Sequence, residues 1–114
     1  MSRIYKILQR VVWEDAQGKG RFEGAGVDLQ DGYIHFSAAS QVAETARRYF
    51  RGQYDLVVLE VESEALGEAL KWEPSRGGDL FPHLYGPLAC EQVMAIHSAP
   101  LDEEGVLRLD GLAR

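Results

Sequence analysis

Four consecutive branched aliphatic side chains, Leu56-Val57-Val58-Leu59, place the strongest constraint on how this chain can fold. Strand geometry sends neighbouring side chains to opposite faces, so an unbroken run of this kind needs apolar cover on both sides. Residues 55–61 are therefore predicted as a central strand, and every other element must cover one of its two faces. With 114 residues the chain suffices for one domain, residues 1–114, with a hydrophobic core that needs no disulfide or metal staple.

Around that strand the pattern is of the α+β class, with strands outnumbering long helices. Residues 4–12 begin with apolar side chains at alternate positions and read as a first strand ending near Trp13, followed by a short helical turn. Residues 18–31 carry four glycines and little periodicity, which predicts a long irregular connection or a pocket-lining loop. The one main helix is predicted over residues 40–50, where Val42, Ala43, Ala46, Tyr49 and Phe50 form an apolar stripe. Ser37 or Ser40 could cap its start, and Gly52 supplies a stop. Residues 63–70 read as a short helix weakened by Gly67, residues 71–73 as a strand ending at Pro74, and residues 74–79 as a loop. A late strand over 93–98, a turn over 102–105 and an edge strand over 106–109 complete the reading.

Charge and composition exclude several function classes. A net charge of −6 opposes the broad phosphate neutralisation behind non-specific nucleic-acid affinity. Arg47, Arg48 and Arg51 cluster at the predicted helix end, where cations complement the helix dipole, and Arg76 stands alone in a glycine-containing loop. No apolar run approaches the roughly 20 residues that a membrane-crossing helix needs. The start of the chain carries no secretion-signal pattern, and the one cysteine, Cys90, has no internal disulfide partner; both fit a cytoplasmic, reducing setting. Oligomeric state is open, with Tyr54, Trp72 and Phe81 as candidates for an aromatic contact patch.

Two segments carry polar chemistry. In Tyr33-Ile34-His35-Phe36-Ser37, alternation sends Ile34 and Phe36 to one face and Tyr33, His35 and Ser37 to the other. In Phe81-Pro82-His83-Leu84-Tyr85-Gly86-Pro87, the two prolines favour a stiff extended ribbon, with His83 and Tyr85 on one side and Leu84 on the other. Such a pair is pre-ordered for ligand binding; the alternative is a buried loop in which the imidazole and phenol bond backbone carbonyls. Other readings are weaker. His35 with Ser37 lacks a nucleophile elbow, His35, His83, His97 and Cys90 lack metal-ligand spacing, and no metal site is expected. Cys90 as a nucleophile would need His83 brought beside it, whereas a lone cysteine usually packs as a small apolar residue. Gly77 and Gly78 match no phosphate loop and read as a turn. Glu60, Glu62 and Glu73 are available carboxylates that edge charge and solubility can also explain.

The strings Ile4-Tyr5-Lys6-Ile7, Gly32-Tyr33-Ile34-His35-Phe36-Ser37, Gln41 and Phe81-Pro82-His83-Leu84-Tyr85-Gly86-Pro87-Leu88 occur in this order and together resemble the bacterial domain of unknown function 952 family (DUF952) over residues 4–96. That family is similar in turn to the ADP-ribosyltransferase fold, a split antiparallel sheet that binds NAD in a cleft. Where that superfamily often has a first-strand histidine on the adenosine ribose, this chain has Lys6. Its second motif resembles residues 32–37, with His35 near the aromatic stacking position. For the glutamate of the third motif, Glu73 and Glu91 are the candidates.

The resemblance implies an ADP-ribosyltransferase-like enzyme or NAD-type nucleotide binder of unknown substrate, with NAD as the implied cofactor and a small molecule as partner. It assigns catalytic roles to His35, His83 and Tyr85. His35 and Tyr85 would stack on and position the ligand, Ser37 and His83 would hydrogen-bond it, and Lys6 or Arg76 would meet its phosphates. Tyr33 and Gln41 would complete the ligand-binding set. The alternative is a non-catalytic module that uses the same pocket for a metabolite or a protein partner.

Overall fold

The computed structural model describes residues 2–103 and 105; the side chain of Arg76 and the predicted edge strand over 106–109 lie outside the described residues. In chain order the elements are β1 (Arg3–Gln9), α1 (Arg10–Lys19), β2 (Arg21–Phe22), α2 (Val27–Asp31), β3 (Ile34–His35), β4 (Ser37–Ala38), α3 (Val42–Tyr49), β5 (Leu56–Glu62), β6 (Leu70–Pro74), β7 (Leu80–Leu84), β8 (Leu88–Ala89) and β9 (Val93–Ser98). They form a four-stranded sheet ordered β4-β1-β5-β9, a three-stranded sheet ordered β3-β7-β6 and a two-stranded pair β2-β8. All pairings are antiparallel.

The aliphatic run lies where its pattern requires. β5 pairs with β1 over its full length and with β9 on its other edge, and Val57, Val58, Leu59 and Val61 have no exposed surface. One face of the sheet, carrying Ile4, Leu8, Val57, Leu59 and Val61, packs against Trp13, Phe22, Ile34, Phe36 and Leu84. The other, carrying Tyr5, Ile7, Leu56 and Val58, packs against Val42 and Ala46 of α3. Each such aliphatic side chain stabilises the fold by about 1.5–3 kcal/mol relative to exposure, so β5 is the axis of the molecule.

Several boundaries differ from the pattern-based reading. The first strand stops at Gln9 and a ten-residue helix follows, so the predicted single main helix has a longer companion. Val11 and Val12 favour a strand locally. Trp13 and Ala16, three residues apart, bury together only if the segment is helical, and tertiary packing decides. Gly20 ends this helix with φ +84. Residues 18–31 are more ordered than expected, because β2 finds its partner β8 far along the chain and α2 is fixed by the buried Asp28. Neither Ser37 nor Ser40 caps α3. Gln41 stands at that end, accepting the Ala38 N–H at 2.9 Å and donating to the Leu80 carbonyl at 2.8 Å. The helix stops at Phe50, two residues before Gly52.

Residues 63–69 form a 3-10 turn broken at Gly67, β6 ends at Pro74 as expected, and residues 76–78 form a short turn. Arg47 and Arg48 at the end of α3 both pair with Glu44. Phe81 is buried, which removes it from the exposed aromatics Tyr54 and Trp72. Among the described residues no helix is long and apolar enough to cross a membrane.

Candidate functional site

The three-stranded sheet decides where the polar side chains go. β3 pairs with β7 so that His35 stands opposite His83, and β7 pairs with β6 so that His83 stands opposite Lys71. Partners across an antiparallel pair share a face, and so do residues two apart in a strand. His35, His83, Tyr85 and Glu73 therefore crowd one face, while Ile34, Leu84 and Leu70 turn to the core on the other. Pro82 is tolerated in the middle strand because β3 is only two residues long. Its carbonyl and missing N–H point past the end of β3, where the carbonyl takes the Phe36 N–H at 3.0 Å.

Tyr33 lies at the centre of the ring cluster. Its ring centroid is 4.2 Å from that of His83, 4.6 Å from that of His35 and 5.0 Å from that of Tyr85. The two imidazoles are 5.4 Å apart, edge to face. Tyr33 and His83 are stacked, and the three wider spacings fall in the range of attractive aromatic pairs.

Each imidazole is held by a carboxylate. Nδ1 of His83 donates to Oε1 of Glu73 at 2.8 Å, and the Tyr85 hydroxyl donates to the same oxygen at 2.8 Å. The hydrogen bond from His83, then that from Tyr85, holds the Glu73 carboxyl below its ordinary range. In return, the bond to Glu73 with some burial pushes the Tyr85 phenol up to about 12. Tyr85 therefore keeps its proton and serves as a hydrogen-bond donor to Glu73. Nε2 of His83 has no hydrogen-bond partner among the described residues.

His35 is held by Asp28, whose side chain is 1% exposed. Oδ1 of Asp28 accepts from Nδ1 of His35 at 2.7 Å and from the His35 backbone N–H at 3.0 Å. Oδ2 accepts from the Ala25 N–H at 3.0 Å and lies 2.9 Å from Nζ of Lys6. Burial alone would raise the Asp28 pKa, but the hydrogen bond from His35 and the charge of Lys6 outweigh it and bring it to about 2. Burial likewise lowers Lys6, with Asp28 opposing the shift. Gly24 makes room for this carboxylate: its φ is +111, and a Cβ there would lie 2.9 Å from the Asp28 Cβ. Nε2 of His35 faces Oδ2 of Asp31 at 3.0 Å.

A cleft of about 670 Å³ adjoins this cluster, with Lys6, Asp31, His35, Ser37, Thr45 and His83 among its lining. Ser37 has left the three-stranded sheet. It pairs with Tyr5 of β1 and donates to Thr45 Oγ1 at 3.0 Å, so it borders the cleft without joining the rings. Gln41 serves the α3 entry described above. Arg76 belongs to the turn at the far end of the β6-β7 hairpin. Cys90 is half-buried, donates to the Ala16 carbonyl at 3.4 Å and has its thiol pushed up by burial, the behaviour of a packing residue. Among the described residues no three His, Cys, Asp or Glu side chains converge as metal ligands.

The structure thus joins His35, His83, Tyr33 and Tyr85 directly, and Lys6 through Asp28. Asp28 and Asp31 carried no signal in a glycine-rich segment without periodicity. Glu73 was visible as a carboxylate, and only its register opposite Phe81 shows that it shares a face with His83. Glu91 lies in the turn after β8 and makes no contact with the rings.

None of the curated proteins matches this chain. Among solved structures, the crystal structure of protein CC0527 from Caulobacter crescentus is 56% identical, with a TM-score of 0.93 and 95% of each chain covered. The solution NMR structure of the same Caulobacter protein is also 56% identical, with a TM-score of 0.87, covering 96% of this chain and 94% of that one. The family model "Protein of unknown function (DUF952)" matches residues 7–96, which include β1 from Ile7 onward, the whole ring cluster and both carboxylates that hold it. The chain belongs to the DUF952 family.

Proposed function

We propose that the cleft binds a nucleotide of the NAD type and that the protein is an ADP-ribosyltransferase-like enzyme acting at the bond between nicotinamide and ribose. The observation that carries this reading is the convergence of Tyr33, His35, His83 and Tyr85 on one sheet face beside the cleft, together with the Glu73 carboxylate. The cleft is within the roughly 300–1,000 Å³ usual for small-molecule sites.

Breaking the nicotinamide bond develops positive charge on the ribose. A fixed carboxylate favours such charge without reorganising. Glu73, a candidate for the glutamate that the resemblance reserves, lies behind His83 and acts on the cleft through that ring. Of the four rings, His35 and His83 line the cleft: His35 offers a ring face for stacking and His83 its Nε2 to the bound molecule, while Ser37 offers a hydroxyl for the ribose. Lys6 is the cation among the described lining residues, and it shares its charge with Asp28.

That shared charge also favours a second reading, a binding module without chemistry. Lys6 and both nitrogens of His35 are already satisfied by Asp28 and Asp31. One experiment separates the two. NAD at 100 times its dissociation constant raises the stability by about 2.7 kcal/mol in a thermal melt. Nicotinamide release in the same sample marks the enzyme, and a melt shift without release marks the binding module. No shift and no release would end the NAD reading.

A further inference from the structure

Glu73 and His83 meet as a carboxylate and an imidazole do in a catalytic dyad, and the consequence lies at the far nitrogen. The ionised Glu73 carboxylate can only accept, so the bond to Nδ1 keeps the ring proton there. The neutral ring then presents its lone pair at Nε2, which has no partner among the described residues, and the ring borders the cleft. Tyr85 donates to the same Glu73 oxygen, and Tyr33 stacks on the imidazole at 4.2 Å. The ring is thus fixed from the carboxylate side and on its face, leaving one edge for chemistry.

We propose that Nε2 of His83 is the general base of this site, taking a proton from the acceptor, and that Glu73 is a positioning residue that fixes the ring tautomer with help from Tyr85. The proposal rests on the reading of the cleft as an NAD site and adds the fate of the acceptor proton. With water as acceptor, the water oxygen forms a bond to the ribose C1′ while the C1′–N bond to nicotinamide breaks. The bonding electrons leave with nicotinamide, which departs neutral, and the water proton passes to Nε2. Nothing is oxidised or reduced, and the proton later returns to solvent.

Two measurements on the full chain test this. Nitrogen-15 NMR of the histidine rings reports the tautomer without any substrate. The wild type is expected to show His83 protonated at Nδ1 and bare at Nε2, and Glu73→Gln to show a mixed or reversed tautomer. A wild-type ring protonated at Nε2, or a tautomer that Glu73→Gln leaves unchanged, overturns the proposal. With NAD as probe, Glu73→Gln should lower kcat for nicotinamide release by roughly 10- to 100-fold with little change in KM. His83→Gln, used beside His83→Ala because the ring is buried, should lower it by about 10²–10⁴-fold while NAD still shifts the melt. Release that survives His83→Gln overturns the general base and spares the NAD site. NAD that neither binds nor reacts with the wild type removes the NAD reading, and the tautomer measurement alone then decides whether His83 is presented as a base.

Discussion

Among the described residues, two histidine–glutamate pairs at the same distance have opposite prospects. In the three-stranded sheet, His83 meets Glu73 at 2.8 Å through Nδ1; in the four-stranded sheet, His97 meets Glu60 at 2.8 Å through Nε2. Glu60 also pairs with Arg3, so its charge is divided between two partners, and Arg3 reaches on to Glu62. That cluster ties β1, β5 and β9 together and borders no described cleft. Glu73 instead takes a second hydrogen bond from the neutral Tyr85 and keeps its negative charge, with His83 turned to the cleft and covered by Tyr33. A histidine on a carboxylate is therefore a common structural device. Its neighbours, and which nitrogen remains available, separate a site from a clasp.

The largest expected effect comes from making the same change at both pairs. His83→Gln should reduce NAD turnover by about 10²–10⁴-fold, whereas His97→Gln should leave it within about twofold, a factor worth only some 0.4 kcal/mol. Equal losses in the two variants would erase the distinction between site and clasp.

Next in size is the carboxylate under His35. Asp28→Asn leaves Lys6 buried without its counter-ion and should destabilise the fold by about 3–5 kcal/mol, read as the midpoint of chemical denaturation. Glu60→Gln, whose partner Arg3 reaches solvent, should cost about 1 kcal/mol or less. A mild effect at Asp28 would show that the Lys6 charge escapes to water.

The same carboxylate sets an acid limit. With its folded pKa near 2 against an ordinary 3.8, Asp28 contributes about 2 kcal/mol. That stability is present in full above the unfolded value and disappears as pH falls through 2. Denaturant midpoints measured between pH 5 and pH 2 should therefore fall more steeply in the wild type than in Asp28→Asn. Parallel curves would place the acid sensitivity elsewhere.

Smallest is Tyr85→Phe, which removes one of the two hydrogen bonds on Glu73 while the His83 bond remains. Turnover should drop only a few-fold, and the His83 tautomer should persist in the nitrogen-15 spectrum. A loss as large as that of Glu73→Gln would make the phenol itself a reacting group.

Much of this site is legible in the sequence. Ile34 and Leu84 were assigned to the core and His35, His83 and Tyr85 to the opposite face, and the three-stranded sheet has that arrangement. The placement of Ser37 on the same face failed because the chain changes sheets at Phe36, and alternation cannot see a change of sheet. The helix at residues 10–19 escaped because Val11 and Val12 favour a strand locally, while Trp13 and Ala16 gain their burial from distant partners.

Alternation and the aliphatic run were thus enough to determine a central β5, a mixed α+β framework and the sidedness of Ile34, His35, His83, Leu84 and Tyr85, since these follow from stereochemistry within a few residues, whereas the antiparallel pairing was implied by the family resemblance. The folded chain alone decided which carboxylate meets which histidine. Asp28 reaches Lys6 across 22 positions and Glu73 reaches His83 across ten, and such meetings depend on strand register and loop closure rather than on local pattern.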